Sequence, residues 1–155
     1  MRDYMESSLR LPDVGVPATL ADGVLALIDR LPRHDGLAHC DLHPDNVIMT
    51  PEGSKLIDWT GAKCGGAPLD LAVCRFLWTE LVAESQGTPE HQRALCAAMQ
   101  SAYGRRAGLS PKALHAATDD HLPIVRVFFL LSGVARPATR ARLLQQLERD
   151  FRPPE

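Results

Sequence analysis

The stretch His39-Cys40-Asp41-Leu42-His43-Pro44-Asp45-Asn46-Val47-Ile48-Met49-Thr50-Pro51-Glu52-Gly53-Ser54-Lys55-Leu56-Ile57-Asp58-Trp59 decides how the rest of the chain is read. Polar residues of catalytic type, His39, Asp41, His43, Asp45, Asn46, Lys55 and Asp58, sit here beside β-prone or apolar ones. Such groups must be satisfied or functional, because an unpaired carboxylate out of water is costly. Residues 46–50 and 55–59 are β-prone, and 51–54 reads as a turn between them. A hairpin folds its ends back, so the pattern predicts Asp41 and Asp58 close together with Asn46 between them. Two carboxylates and an amide suit a hard divalent cation such as Mg²⁺, which takes oxygen ligands together with substrate phosphates.

Working outward, residues 1–16 show no clear period, and Pro12 and Pro17 mark them as an irregular lead-in. Leu20, Val24, Leu25, Leu27, Ile28 and Leu31 recur at helical spacing, so 18–31 is a helix that Pro32 ends. Downstream, 61–68 reads as a Gly-rich loop and 69–83 as a core helix. Thr88-Pro89-Glu90 and Ser110-Pro111 are helix starts, the first helix running to about Arg106. Pro123 separates the second from another helix through Leu131, and 138–151 forms the last helix. The expected class is α+β: one domain over residues 1–155, mostly helical, with a small β-hairpin carrying the polar cluster.

Composition excludes several classes. The chain is 45% hydrophobic and 23% charged, a profile of globular rather than disordered chains. A net charge of −2 supplies no field for nucleic acid or an anionic membrane. The most apolar stretch, 122–134, is too short to span a bilayer, and the N-terminus lacks a signal-peptide core. The four cysteines contain no C-x-x-C pair, so reduced thiols in a cytoplasmic protein are expected.

His39-x-Asp41-x-x-x-x-Asn46, then Ile57-Asp58-Trp59, then Gly65-Gly66-Ala67-Pro68-Leu69-Asp70-Leu71-Ala72, resembles the aminoglycoside phosphotransferase family of the protein-kinase-like fold. The family pattern is H-G-D-L-H-P-x-N, a hairpin, I-D-W and G-D-P-x-x-D-L-A. The resemblance covers about residues 20–135, including Tyr103-Gly104-Arg105-Arg106-Ala107-Gly108-Leu109. It implies transfer of the ATP γ-phosphate to a hydroxyl of a small molecule, with Asp41 as the base and Asn46 and Asp58 holding Mg²⁺ on the ATP phosphates. It implies supporting roles for His39 and Asp70 and leaves His43 facing either substrate or metal. Cys40 and Gly66 depart from the family's Gly and Asp, and Asp45 adds a charge. Cys40 would crowd the loop if the backbone there needs a positive φ.

No G-x-G-x-x-G and no suitable strand lysine occur, so the chain reads as a C-terminal lobe without the nucleotide-binding N-terminal lobe. Poor or no turnover by the chain alone follows, with self-association or a separate N-lobe as partner. Two alternatives stay open: a non-catalytic remnant or binding module, and a metal-dependent hydrolase using His39-x-Asp41-x-His43 with Asp58. The acceptor is not readable. Acidic residues in 69–131 are too few to favour a polycationic aminoglycoside.

Overall fold

The computed structural model describes residues 2–11, 15–81 and 90–152. Its elements, in chain order, begin with α1 (Arg2–Leu9), α2 (Ala18–Arg30), β1 (Leu37–Ala38), β2 (Val47–Thr50), β3 (Gly53–Leu56) and β4 (Lys63–Cys64). α3 (Ala67–Arg75) follows and widens into a π-helical segment, Phe76–Leu81. The chain then forms α4 (Glu90–Ala107), α5 (Pro111–Leu131) and α6 (Pro137–Asp150). The described residues are mostly helical, with two small antiparallel sheets, β1–β4 and β2–β3. The chain divides into two compact units, Met1–Pro32 with Asp120–Glu155, and Arg33–Asp119.

In the first unit, α2 buries Leu20, Ala21, Val24 and Leu25 on one face, and α6 buries Thr139, Leu143 and Leu147. Both helices match the periodicity of the sequence. α1 does not match, because residues 2–9 are helical where an irregular lead-in was expected. Met5 and Leu9, one turn apart, are buried, and Tyr4 packs on Phe128 with ring centroids 6.0 Å apart. Asp3 occupies the first turn, where it favours the helix dipole. α5 corrects a second expectation: it runs unbroken through Pro123. The proline removes one backbone hydrogen bond. Around it Leu122, Ile124, Val125, Val127 and Leu130 are all buried, and that burial outweighs the local cost. Arg126, 9% exposed, donates to Asp150 across 2.6 Å, an ion pair for a buried charge.

The second unit carries both sheets. In the hairpin, Val47 pairs with Leu56 and Thr50 with Gly53, so the turn is only Pro51-Glu52, shorter than the four residues expected. Gly53 takes φ 119°, and the Thr50 hydroxyl donates to its carbonyl at 2.9 Å. β3 ends at Leu56, before Ile57 and Asp58, because Asp58 turns left-handed at φ 58°. Asn46 belongs to a 3-10 turn, Pro44–Asn46, rather than to the strand. The expected loop 61–68 contains β4, whose Lys63 and Cys64 pair with Ala38 and Leu37. Ser110 caps α5, its hydroxyl accepting from the Ala113 N–H at 3.2 Å. Thr88 and Pro89, the other expected start signal, lie outside the described residues, as do Ala83 and Pro12.

Met5→Ala tests the reassigned N-terminal helix. Deleting a fully buried Met side chain should cost about 2–5 kcal/mol, while Arg10→Ala, exposed on the same segment, should stay within about 0.5 kcal/mol. Urea unfolding midpoints of the two variants decide; equal midpoints would show that α1 contributes nothing.

Candidate active site

The loop Ala38–Asn46 is held from three sides. Asp70, in the first turn of α3, accepts the His39 N–H on Oδ2 at 3.0 Å and the Cys40 N–H on Oδ1 at 2.8 Å. The His39 side chain is fully buried. Its Nε2 lies 2.7 Å from the Ile57 carbonyl, and its Nδ1 accepts the Asp41 N–H at 3.3 Å. A ring nitrogen facing a carbonyl must carry the proton, so His39 is the Nε2–H tautomer. Trp59 packs edge-on to this ring at 4.7 Å and donates its indole N–H to the Leu56 carbonyl at 3.0 Å. With both nitrogens engaged, His39 has no lone pair for a metal. That removes a ligand from the His39-x-Asp41-x-His43 hydrolase reading.

Asn46 is 7% exposed and sends Nδ2 into the loop. Its acceptors are the Asp41 carbonyl at 2.9 Å, His43 Nε2 at 3.1 Å and Asp41 Oδ2 at 3.2 Å. Two hydrogens serve three acceptors, so one bond is shared. Because Nε2 of His43 accepts, that imidazole carries its proton on Nδ1, 3.7 Å from Asp45 Oδ2. Asp41, His43 and Asn46 are therefore in direct contact, whereas Asp58, expected beside Asp41 with Asn46 between them, makes its hydrogen bonds to Thr60. The hairpin base is closed by Ile57, the residue before Asp58, whose N–H donates to the Asn46 carbonyl at 2.9 Å.

The Asp58 carboxylate is exposed and accepts from the Thr60 hydroxyl at 2.6 Å and the Thr60 N–H at 3.4 Å. These bonds, with the nearby His39 and His43 rings adding less, hold its pKa below the ordinary aspartate range. Thr60 did not stand out in the sequence. Its signal was the Asp-x-Thr spacing of a side-chain-capped turn. Among the described residues no cluster of three or more His, Cys, Asp or Glu side chains could hold a metal. The oxygen donors present are those of Asp58, Asp41 and the Asn46 amide.

Cys40 adopts φ 64°, the left-handed region that disfavours a side chain. Its thiol is half-buried, and burial, reinforced by Asp70, pushes its pKa up to about 11. It stays a neutral thiol at physiological pH and is a poor nucleophile. Gly66, the other departure, has its own reason: a Cβ there would lie 2.6 Å from the His34 ring. Asp41 and His43 also line a cavity of about 540 Å³, walled on the far side by the π-helical segment and α4.

Three variants test this geometry. Cys40→Gly should raise stability by up to about 1 kcal/mol by relieving the left-handed strain, and Cys40→Val should lower it by about 1–2 kcal/mol, both read from urea midpoints. A reversed order would place the strain elsewhere. Thr60→Val should move the Asp58 pKa upward, followed by NMR of its carboxyl carbon. Because the folded carboxyl titrates below its unfolded counterpart, its stabilising contribution is present at neutral pH. It is lost as pH falls through the folded value.

Neither a curated protein nor a solved structure matches this chain. A family model does match, over residues 2–109, starting earlier and stopping sooner than the span expected from the motifs. It includes the loop, the hairpin, α3 and α4. The match covers more than half of the sequence and joins the three motifs to the helices around them. The chain belongs to the phosphotransferase enzyme family.

Proposed function

We propose that this protein supplies the base and the cation ligands of a kinase-like C-terminal lobe that moves the γ-phosphoryl group of ATP to a hydroxyl of a small molecule, with poor turnover by the chain alone. Family membership supports phosphoryl-transfer chemistry in general. The observation that carries the finer reading is the Asn46–Asp41 contact. Asn46 spends its amide N–H groups on Asp41 and His43, which leaves Oδ1 as its remaining donor to a cation. Asp58 offers an exposed carboxylate kept ionised by Thr60. An amide oxygen and a carboxylate fit Mg²⁺, so Asn46 and Asp58 are the residues that would hold it. When bound, the ion would neutralise charge on the phosphates.

Asp41 takes the role of base. Its side chain is 49% exposed, lines the cavity, and keeps one oxygen fixed by Asn46 at 3.2 Å. That contact orients the carboxylate without neutralising it, so it can accept or align a hydroxyl proton. His43 Nε2, 3.5 Å from Asp41 Oδ2, adds a second polar group on the same wall.

The test has two readouts on the same protein. Phosphoryl transfer from Mg-ATP to small alcohols, followed by ³¹P NMR, should fall roughly 10²–10⁴-fold in Asp41→Asn. Mn²⁺ with ATP should broaden the Asn46 side-chain amide signals, and Asp58→Asn should abolish the broadening. Transfer that survives Asp41→Asn assigns the base elsewhere. A folded protein in which Mn²⁺ with ATP leaves the Asn46 amide signals unbroadened overturns the proposal.

A further inference from the structure

His43 touches two groups that the proposed transfer uses, and its contacts give it a role through one of them. Asn46 Nδ2 faces three acceptors: the Asp41 carbonyl at 2.9 Å, His43 Nε2 at 3.1 Å and Asp41 Oδ2 at 3.2 Å. A carbonyl and a carboxylate carry no hydrogen, so only the NH₂ end of the amide can face them. The carbonyl belongs to the backbone and takes one hydrogen at the shortest distance. His43 Nε2 and Asp41 Oδ2, 3.5 Å apart, are then rival acceptors for the other.

The rivals differ in what else they must do. The Asp41 side chain is 49% exposed and opens on the cavity, so a bound hydroxyl draws on the same carboxylate. Any shift of that carboxylate toward the hydroxyl stretches its bond to Asn46. Asn46 is buried, and a buried N–H left without an acceptor costs as much as a lost hydrogen bond or more. With Asp41 as sole partner, the amide would rotate to recover its bond and carry Oδ1 away. With His43 Nε2 alongside, the hydrogen passes from carboxylate to imidazole and Oδ1 stays in place. The ring can do this only as an acceptor. A proton on Nε2 would oppose the amide hydrogens and point to Asp41 Oδ2 instead. Asp45 Oδ2, 3.7 Å from the other ring nitrogen, favours the accepting form by its charge.

We propose that His43 is a positioning residue: it holds the Asn46 amide with Oδ1 turned outward while Asp41 engages the acceptor hydroxyl. It acts through Asn46 rather than on the substrate or the cation. The mention of cation and hydroxyl rests on the phosphoryl-transfer reading above; the rivalry for the hydrogen does not.

The test is a double-mutant cycle on the full chain, with His43→Leu, Asp41→Ala and the two together. Asp41→Ala removes the carboxylate and keeps the carbonyl. In the ¹⁵N-labelled protein without ligand, the scalar coupling between Asn46 Nδ2 and His43 Nε2 reads their hydrogen bond directly. It should be present in the unaltered protein and larger in Asp41→Ala, where the hydrogen goes to His43 alone. Absence of the coupling, or a coupling that Asp41→Ala leaves unchanged, overturns the assignment. The second readout is Mn²⁺ with ATP, titrated by the broadening of the Asn46 amide signals. His43→Leu should weaken Mn²⁺ binding about twofold or less in the unaltered background, where Asp41 takes the hydrogen, and roughly tenfold in Asp41→Ala, where nothing does. In Asp41→Ala, His43→Gln should keep the affinity, because its side chain carries an oxygen to the place of Nε2. His43→Asn is too short and should lose it. An equal effect of His43→Leu in both backgrounds overturns the role of His43 and leaves the function proposed above standing. A coupling that grows in Asp41→Ala, in a protein whose amide signals stay unbroadened by Mn²⁺ with ATP, supports the role of His43 and overturns that function.

Discussion

Asp70 stands in the first turn of α3 and sends its two carboxylate oxygens to the consecutive N–H groups of His39 and Cys40. Two successive amides converge on one anion only where the backbone bends into a nest. The left-handed φ of Cys40 belongs to that bend. From this point the order passes outward. The backbone held by Asp70 places the His39 ring, which reaches the Asp41 N–H on one side and the Ile57 carbonyl on the other. Ile57 in turn closes the hairpin on Asn46. A helix terminus, a loop and a hairpin base are thereby fixed by one carboxylate and one neutral imidazole. Removing the carboxylate would strand two backbone donors, at about 1–3 kcal/mol each.

The site built on this frame separates its charges by environment. The Cys40 thiol, beside the anchoring carboxylate, stays neutral because burial opposes its ionisation. Asp58 lies at the surface with a hydroxyl and an amide holding it ionised. Asp41 sits between these extremes, half-exposed and oriented by one amide. The loop thus adds no thiolate charge to a region already carrying several carboxylates. A phosphate-bearing ligand would meet less repulsion as a result.

How much of this the residues disclosed differs by element. α2 and α6 were legible because their apolar positions repeat over three or more turns. The hairpin was legible as a unit but not in its register, since the Asp58 backbone conformation, not strand propensity, stops β3 at Leu56. α1 escaped because its buried face rests on Met5 and Leu9 alone. The β1–β4 pair escaped because two-residue strands far apart in the chain, Leu37 with Cys64 and Ala38 with Lys63, leave no periodic trace. Pro123 misled because a local rule was overridden by burial on both sides of it. In the site, the hairpin pattern grouped Asp41, Asn46 and Asp58, and the resemblance added His39 and Asp70 as supports. Neither said anything of Thr60, whose contact with Asp58 is set by turn geometry.

The hairpin has a gradient along its length. Ile48 and Met49 are exposed at 46% and 77%, so little packing supports its outer half. Its base is clamped by the Ile57–Asn46 and His39–Ile57 hydrogen bonds. Local opening therefore starts at Pro51-Glu52 and stops short of Asn46 and Asp58. Backbone amides near the tip would exchange with solvent long before those at the base. The tip is accordingly a natural point for the chain to accept inserted residues, a reporter peptide or a fused domain, with the residues at the hairpin base left where they are.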